Sequence, residues 1–400
     1  MSFDSLEKLL EPASTAEFLD SAWGRTFKHV RGGAGKFAPL LPWPALNDIL
    51  RRHRLDYPRL RLMKDGARVP TNTYLRHAGG ASGRPAAVPR LLPAGFTTAL
   101  RDGATLVLDA ADELHAPLEE LAETLELRFH ERVQINVYAG WRTSRGFDLH
   151  WDDHDVFILQ VSGRKRWRLH GETRVCPVAG ERDVTPEPAG EPVWEETLED
   201  GDLLYIPRGW WHVALPLDEP TLHLTVGVHK RTGVDLARWL AERLSQHEVF
   251  RRDLPRLASA DEKRAHAEAL KAALLEEWAD DAAAIYLAEL DATALPRPRL
   301  SLPWAATRKL LPAGPGVVVR WTPPRPVEFK VEGGVVEFRC LKRRWRFAES
   351  ALAVLGPLAE RRVCALAELC EGAVGRVEEQ RVRALVGELV EHGLAAVVEA

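Results

Sequence analysis

The stretch FDLHWDDHDVFILQVSGRKRWRLHG, residues 147–171, decides the interpretation of this 400-residue chain. It places His150 and Asp152 two positions apart, and side chains at i and i+2 of an extended strand point to the same face. A second segment, GDLLYIPRGWWHVALPL at 201–217, adds His212 directly after a strand-like run. The two segments together predict a metal site made of His150, Asp152 and His212.

Two imidazoles and one carboxylate on one face of a metal leave the opposite positions open. That is the facial triad of non-haem Fe(II) oxygenases, whose open positions accept a 2-oxo acid and O₂. A His-x-Asp pair by itself is equally typical of a surface turn, and His154 and Asp155 offer alternative ligands. The residues alone therefore leave the choice of ligands open.

The surrounding pattern predicts a β core at about 130–230. Short runs such as VQINVYA, HDVFILQVSG and TLHLTVGVH are rich in Val, Ile, Leu and aromatics, and Gly, Pro and charged turns separate them. The rest of the chain reads as short helices and loops at 1–60, an amphipathic helix at 115–128, two long helical segments at 233–250 and 263–290, and a small α/β tail at 331–400.

The composition is that of an ordinary globular protein with two or three domains. There are 54 Lys and Arg against 58 Asp and Glu, so the net charge of −4 provides no global field for a nucleic acid. The four cysteines are scattered without metal spacing, which favours a reducing cytoplasm. The start of the chain does not read as a secretory signal, and we expect no membrane span because no apolar run approaches about 20 residues.

The motifs HWDDHDVFILQVSGRKRWRL and GDLLYIPRGWWHVA resemble the JmjC/cupin 2-oxoglutarate oxygenases of the ribosomal oxygenase type. The resemblance extends to AEFLDSAWGRTFKHVRGG, to RDGATLVLDAADELHAPLEELAETL and to NVY at 136–138. It implies an α+β chain in which a double-stranded β-helix follows a helical N-terminal region. The domains that it implies are a JmjC/cupin catalytic domain at 1–230, a helical dimerisation region at 231–300 and a winged-helix-like domain at 301–400.

The resemblance also implies roles for individual residues. His150, Asp152 and His212 would hold Fe(II), and Lys165 would pair with the distal carboxylate of the co-substrate 2-oxoglutarate. Asn136, Tyr138 and Thr225 match positions that face the metal pocket, although hydrogen bonding between strands is an alternative role for these three. The chain departs from the family at Gly227, where a serine is frequent.

The function implied is hydroxylation of an amino-acid side chain in a protein or peptide, such as a ribosomal protein, by Fe(II), 2-oxoglutarate and O₂. Two alternatives stay open: the same chemistry on a small natural product or free amino acid, and a cupin module that binds without turnover. We expect a homodimer and no nucleic acid partner. The tail at 341–400 has nine basic and nine acidic residues, so it offers no net charge to a phosphate backbone.

Overall fold

The computed structural model describes residues 3–78, 88–181, 190–307, 311–312, 314 and 316–399. The chain divides into two compact units, residues 1–231 and 232–400. Each unit has its own hydrophobic core. No helix among these residues is long and apolar enough to cross a membrane.

The first unit consists of strands with helices before and between them. Its helices are α1 (Leu6–Leu10), α2 (Thr15–Ser21), α3 (Trp43–Arg52), α4 (Pro93–Arg101) and α5 (Ala116–Phe129). Its strands are β1 (Lys28–Val30), β2 (Leu60–Lys64), β3 (Ala67–Arg68), β4 (Leu75–Ala78), β5 (Val88–Leu91), β6 (Thr105–Leu108), β7 (Arg132–Gly140), β8 (Asp155–Ser162), β9 (Lys165–Glu172), β10 (Trp194–Leu198), β11 (Leu203–Ile206), β12 (Trp210–Pro216) and β13 (Thr221–His229).

Two antiparallel sheets face each other in this unit. The larger has the strand order β1-β11-β8-β13-β7-β6-β2-β3, and the smaller has the order β10-β9-β12. Alternation along β8 sends Phe157 and Leu159 to the outer face, where they join the core formed with the helices. Val156 and Ile158 point the other way and pack with Trp167 of the small sheet. The inner faces of both sheets therefore enclose a space that is lined from two sides.

The predicted β core and the amphipathic helix are confirmed. The helix predicted at 115–128 is α5, which buries Leu118, Leu121, Ala122 and Leu125. The strand-like runs at 130–230 form β7 to β9 and β11 to β13. The prediction of helices and loops alone for residues 1–60 was wrong at Lys28–Val30, which pairs with β11 as an edge strand. A three-residue strand is too short to show a period of two in the sequence.

The second unit begins with helices α6 (Gly233–Leu244), α7 (Glu248–Arg251), α8 (Ala260–Glu277) and α9 (Ala282–Thr293). The predicted single helical segment at 263–290 was wrong because the chain leaves the helix at Trp278 and starts another at Ala282. Trp278 has φ −85° and ψ 64°, which ends α8 without a glycine or proline. Helix-favouring residues on both sides of the break concealed it in the sequence.

The remainder of the second unit mixes short strands and helices. It contains β14 (Val318–Trp321), β15 (Lys330–Glu332), β16 (Val335–Cys340), β17 (Arg343–Ala348), α10 (Leu352–Arg361), β18 (Val363–Ala365), α11 (Leu366–Gly372), α12 (Glu379–Glu391) and β19 (Ala395–Glu399). Strand β14 lies between β18 and β19, and β15 to β17 form a separate antiparallel sheet. Helix α12 buries Val382, Val386 and Leu389.

Candidate metal centre

The backbone joins His150 to His212, although the two residues are far apart in the chain. The N–H of His212 donates to the carbonyl of His150 at 2.7 Å, and the N–H of His150 donates back at 3.2 Å. This isolated antiparallel bridge ties the loop after β7 to the small sheet. The N–H of Gly209 also donates to the carbonyl of Asp152 at 2.9 Å. Main-chain hydrogen bonds therefore set the spacing of all three side chains.

Both imidazoles are oriented with Nε2 free for a ligand. Nδ1 of His150 lies 2.8 Å from the carbonyl oxygen of Asp148, and Nδ1 of His212 lies 2.9 Å from that of Trp210. A carbonyl oxygen can only accept, so each Nδ1 carries a proton, and in the neutral form of the ring the lone pair is then on Nε2. A second hydrogen bond of this kind is the usual way in which proteins orient a metal-binding histidine.

The ligand atoms of His150, Asp152 and His212 all lie within 4.8 Å of one another. Nε2 of His212 is 3.6 Å from a carboxylate oxygen of Asp152, and the two imidazole centroids are 4.5 Å apart. Burial, and then the neighbouring His150, lower the pKa of His212 to about 4. His212 is therefore neutral at physiological pH, which is the form that binds a metal.

The alternative ligands lie in other environments. Asp155 is fully buried and accepts hydrogen bonds from the hydroxyl of Tyr205 and from the ammonium of Lys230. His154 lines the same cavity as the three converging residues, but its Nδ1 contacts Asp153 at 3.0 Å and its ring stacks on His229 at 4.3 Å. Among the described His, Cys, Asp and Glu side chains, the group that converges is His150, Asp152 and His212.

Gly227 lies against the His154 ring. A β-carbon at position 227 would come within 2.8–2.9 Å of two atoms of this ring. The imidazole of His154 thus occupies the space into which a side chain at 227 would extend. Glycine at 227 therefore leaves the room that the His154 imidazole occupies.

Lys165 is buried on the inner face of the small sheet. Its residue surface is 3% exposed, whereas the neighbouring Arg164 and Arg166 side chains are about half exposed, as strand alternation predicts. Arg164 pairs with Glu219 and Arg166 with Glu195. Burial lowers the pKa of Lys165 to about 7, and within the described part of the chain no carboxylate offsets that effect. A cation buried in this way requires an anion from outside the protein.

Asn136, Tyr138 and Thr225 also face the cavity. Thr225 lies directly opposite Asn136 across β13 and β7, and Tyr138 lies opposite His223. The Asn136 side-chain oxygen accepts hydrogen bonds from the N–H of Ala110 at 2.9 Å and from Gln134 at 3.0 Å. Both partners of Asn136 lie outside the neighbouring strands, because Ala110 follows β6 and Gln134 is on β7 itself. The rings of Tyr138 and His223 stack at 5.0 Å.

The three ligand candidates, Lys165 and the strand residues line one cavity of about 270 Å³. Several other residues that line it were not predicted from the sequence, among them Arg61, Thr105, Trp167 and His223. Trp167 is two positions after Lys165, and His223 is two before Thr225, so the alternation used for the other residues could have found both. Arg61 and Thr105 come from β2 and β6, outside the predicted core, and no local signal marked them.

Part of the chain that contains this arrangement is similar to a known domain family. The sequence profile of the JmjC domain matches residues 113–236, which include His150, Asp152, Lys165 and His212. Residues 113–236 are therefore similar to the JmjC domain. The resemblance inferred from the sequence motifs is thereby confirmed, and the JmjC domain contains β7 to β13 of the two facing sheets.

More than half of the chain is similar to parts of longer curated proteins. The bifunctional lysine-specific demethylase and histidyl-hydroxylase NO66 of Drosophila yakuba is 31% identical over 265 residues, which are 62% of this chain and 37% of that protein. Ribosomal oxygenase 1 of Gallus gallus is 31% identical over 229 residues, or 56% of this chain and 36% of that protein. The chain spans well under half the length of both relatives.

Solved structures resemble the chain over nearly its whole length. The ribosomal oxygenase YcfD of Escherichia coli is 19% identical, with a TM-score of 0.57, and covers 97% of this chain and 98% of its own. The same protein in complex with cobalt and 2-oxoglutarate gives a TM-score of 0.56 at 19% identity, covering 97% and 99%. At this identity the likeness shows the fold. The predicted mixed α and β architecture with a JmjC/cupin-type core is confirmed.

Proposed function

We propose that this chain is an Fe(II)- and 2-oxoglutarate-dependent dioxygenase that hydroxylates an amino-acid side chain of a protein or peptide. The observation that carries the proposal is the cavity in which two oriented imidazoles, one carboxylate and a buried, unpaired ammonium face a common space. The names of the relatives support it, because NO66 is a histidyl-hydroxylase and YcfD a ribosomal oxygenase. A ribosomal protein is accordingly the first substrate to test.

The residues present fit both the metal and the co-substrate. His150, Asp152 and His212 supply the facial set of two nitrogens and one oxygen that suits Fe(II). The Lys165 ammonium fits the distal carboxylate of 2-oxoglutarate, because the buried cation gains the counter-ion that it lacks. When bound, the iron supplies the activation of O₂ that oxidises a C–H bond.

The other cavity residues bind, orient and exclude water. Nδ1 of His223 and Nε1 of Trp167 are buried, and neither has a hydrogen-bond partner among the described residues. Polar atoms left in this state inside a cavity are satisfied when a polar ligand binds. Val156 and Ile158 give the cavity an apolar wall, which limits access of bulk water. Asn136, Tyr138 and Thr225 would then orient the co-substrate and the side chain that is oxidised.

Mass spectrometry of oxidised peptides tests this function. The iron-loaded protein is incubated with 2-oxoglutarate and tryptic peptides from cell lysate, and we expect peptides with one added oxygen together with succinate. An Asp152→Ala protein serves as the background. Succinate formed from a small-molecule pool without any oxidised peptide would favour the free amino acid or natural product, and no succinate at all would favour a binding module without turnover.

We further propose that residues 231–300 are a dimerisation region and that residues 301–400 form a winged-helix-like domain, with residues 1–230 as the catalytic domain. The helices of this region bury Leu240, Leu244 and Tyr286 among themselves. They leave other large apolar side chains exposed, namely Val234, Leu274, Leu275, Trp278, Ile285 and Leu287. An exposed apolar set of this kind on amphipathic helices is typical of an interface with another protein, here a second copy of the chain.

Light scattering at micromolar concentration should therefore give the mass of a dimer. Replacing Trp278, which is 50% exposed, by glutamate should lower the mass to that of a monomer, because it places a charge in the apolar contact. Val374, 77% exposed in the tail, is the control, and its glutamate variant should stay dimeric. A monomeric wild-type chain would refute the dimer.

One prediction on partners and one on cellular location stay predictions. The tail is not expected to bind nucleic acid, because the cluster at 342–346 is partly neutralised by Glu337, which pairs with Arg344 and Arg346. The cytoplasmic location likewise stays a prediction from cysteine usage.

A further inference from the structure

A row of side chains runs across the larger sheet towards the metal centre. The strand register places Arg61 opposite Val107, Val107 opposite Tyr138, and Tyr138 opposite His223. Residues directly opposite one another in antiparallel strands share a face, and Arg61, Tyr138 and His223 all line the cavity. Arg61 on β2 is thus at one end of this row, and His223 is at the other.

The Arg61 side chain is held in place by one carboxylate. Its Nη2 donates to the two oxygens of Asp109 at 2.8 and 2.7 Å, and both side chains are about one quarter exposed. Arg61 is among the lining residues of the cavity, whereas Asp109 is not. The Asp109 carboxylate therefore holds the Arg61 guanidinium in position. Of the two side chains, Arg61 is the one that a substrate in the cavity would contact.

Two polar groups near this point lack a partner. Nε of Arg61 and the hydroxyl of Thr105 are buried and make no hydrogen bond to any described residue. Thr105 lines the same cavity. A buried donor that has lost water without gaining an acceptor is costly, and a bound group that supplies the acceptor removes that cost. The two groups therefore favour a ligand with a hydrogen-bond acceptor.

This region is close to the candidate ligand Asp152. Burial, and then the carboxylates of Asp152 and Asp109, raise the pKa of Tyr138, while Arg61 lowers it. The Tyr138 hydroxyl is thus within electrostatic reach of both Asp152 and the Arg61–Asp109 pair. A side chain that approaches the metal past Tyr138 comes close to the Arg61 guanidinium.

We propose, resting on the hydroxylase function above, that Arg61 and Thr105 form the subsite for the target side chain and select one that carries a hydrogen-bond acceptor over one that offers donors alone. An imidazole nitrogen or a carboxamide oxygen meets this requirement. The ammonium of lysine and the guanidinium of arginine do not, because they offer donors alone and are repelled by the Arg61 cation. Arg61 is accordingly a specificity-determining residue, and His or Asn, rather than Lys or Arg, is the preferred target.

The test uses a library of dodecapeptides that hold His, Asn, Lys or Arg at the central position in otherwise randomised sequences. The full chain, loaded with Co(II) and 2-oxoglutarate without oxygen, is immobilised, and the retained peptides are counted by mass spectrometry. We expect His and Asn peptides to be retained about tenfold over Lys and Arg peptides, the value of one hydrogen bond to a charged donor. Equal retention, or a preference for Lys or Arg, would overturn the proposal.

Three variants separate this subsite from its surroundings. Arg61→Met should bring the ratio of retained His and Asn peptides to retained Lys and Arg peptides close to one. Thr105→Val, which keeps the shape of the side chain and removes an unpartnered hydroxyl, should lower this ratio several-fold. Arg59→Met is the matched control, because Arg59 is two residues away, pairs with Glu113 and does not line the cavity. A ratio that survives both Arg61→Met and Thr105→Val refutes the subsite. Failure of the hydroxylase function is seen separately, as absence of succinate when the iron-loaded wild type receives oxygen.

Discussion

Replacement of Asp152 by alanine is expected to abolish the turnover of 2-oxoglutarate and to weaken metal binding. Asp152 is the one carboxylate in the converging group, so its loss removes the anionic ligand and leaves two imidazoles. Partners in the outer shell of a metal site typically cost about 10–100-fold when mutated, and loss of a direct ligand should exceed that range. Co(II) titration by absorption measures the metal affinity independently of activity.

Asp153→Ala is the control for this substitution. Asp153 has the same charge and is the next residue, but its carboxylate contacts Nδ1 of His154 and is not part of the converging group. We expect Asp153→Ala to keep most of the Co(II) affinity and turnover. If Asp153→Ala loses Co(II) binding while Asp152→Ala keeps it, the ligand assignment is wrong.

The parts of the site that the sequence predicted lie on strands with a strict period of two. Lys165 is buried and Arg166 exposed, and Asn136 and Tyr138 share the inner face of β7, because alternation is a local property of an extended chain. His212 came from the motif around it rather than from alternation. Its pairing with His150 depends on a bridge between segments about sixty residues apart, which only the fold provides.

The positions of Arg61 and Thr105 in the cavity could not be predicted from local sequence patterns. Arg61 reaches the cavity because β2 pairs with β6, and β6 pairs with β7, so two successive strand pairings carry it to the site. No residue near Arg61 in the sequence indicates these pairings. The choice between Asp152 and Asp155 as the metal ligand likewise required the fold. Asp155 accepts a hydrogen bond from Lys230, which follows β13 and is distant in the sequence.

The second large effect is expected from Lys165→Met, which should raise the KM for 2-oxoglutarate and stabilise the protein at the same time. Truncating one partner of a buried charge pair costs about 2–5 kcal/mol, which corresponds to roughly 30-fold to several thousand-fold in affinity. Arg166→Met, on the exposed face of the same strand, should leave the KM unchanged, and titration of 2-oxoglutarate against succinate formation measures both variants.

The expected gain in stability follows from the lowered pKa of Lys165. Burial brings this pKa from 10.5 to about 7, so between these values the unfolded chain binds a proton that the folded chain does not. By linkage, burial of this amine lowers the free energy of unfolding by its largest amount below about pH 7, and the loss disappears as the pH rises towards 10.5. Methionine has no such cost, so without ligand its variant should be more stable at neutral pH, by on the order of 4 kcal/mol. Denaturant unfolding at pH 7 and pH 10 should show the difference shrinking with pH.

Binding of 2-oxoglutarate should have the opposite dependence on pH. The dianion favours the charged ammonium, so affinity is full below about pH 7, where Lys165 carries its proton before binding. Above that pH each binding event must take up a proton, and the affinity of the wild type should fall by up to about tenfold per pH unit. The Lys165→Met protein should lack this decline. A wild-type affinity that is flat from pH 7 to pH 9, or a Lys165→Met protein with unchanged KM, would show that the distal carboxylate is bound by another group.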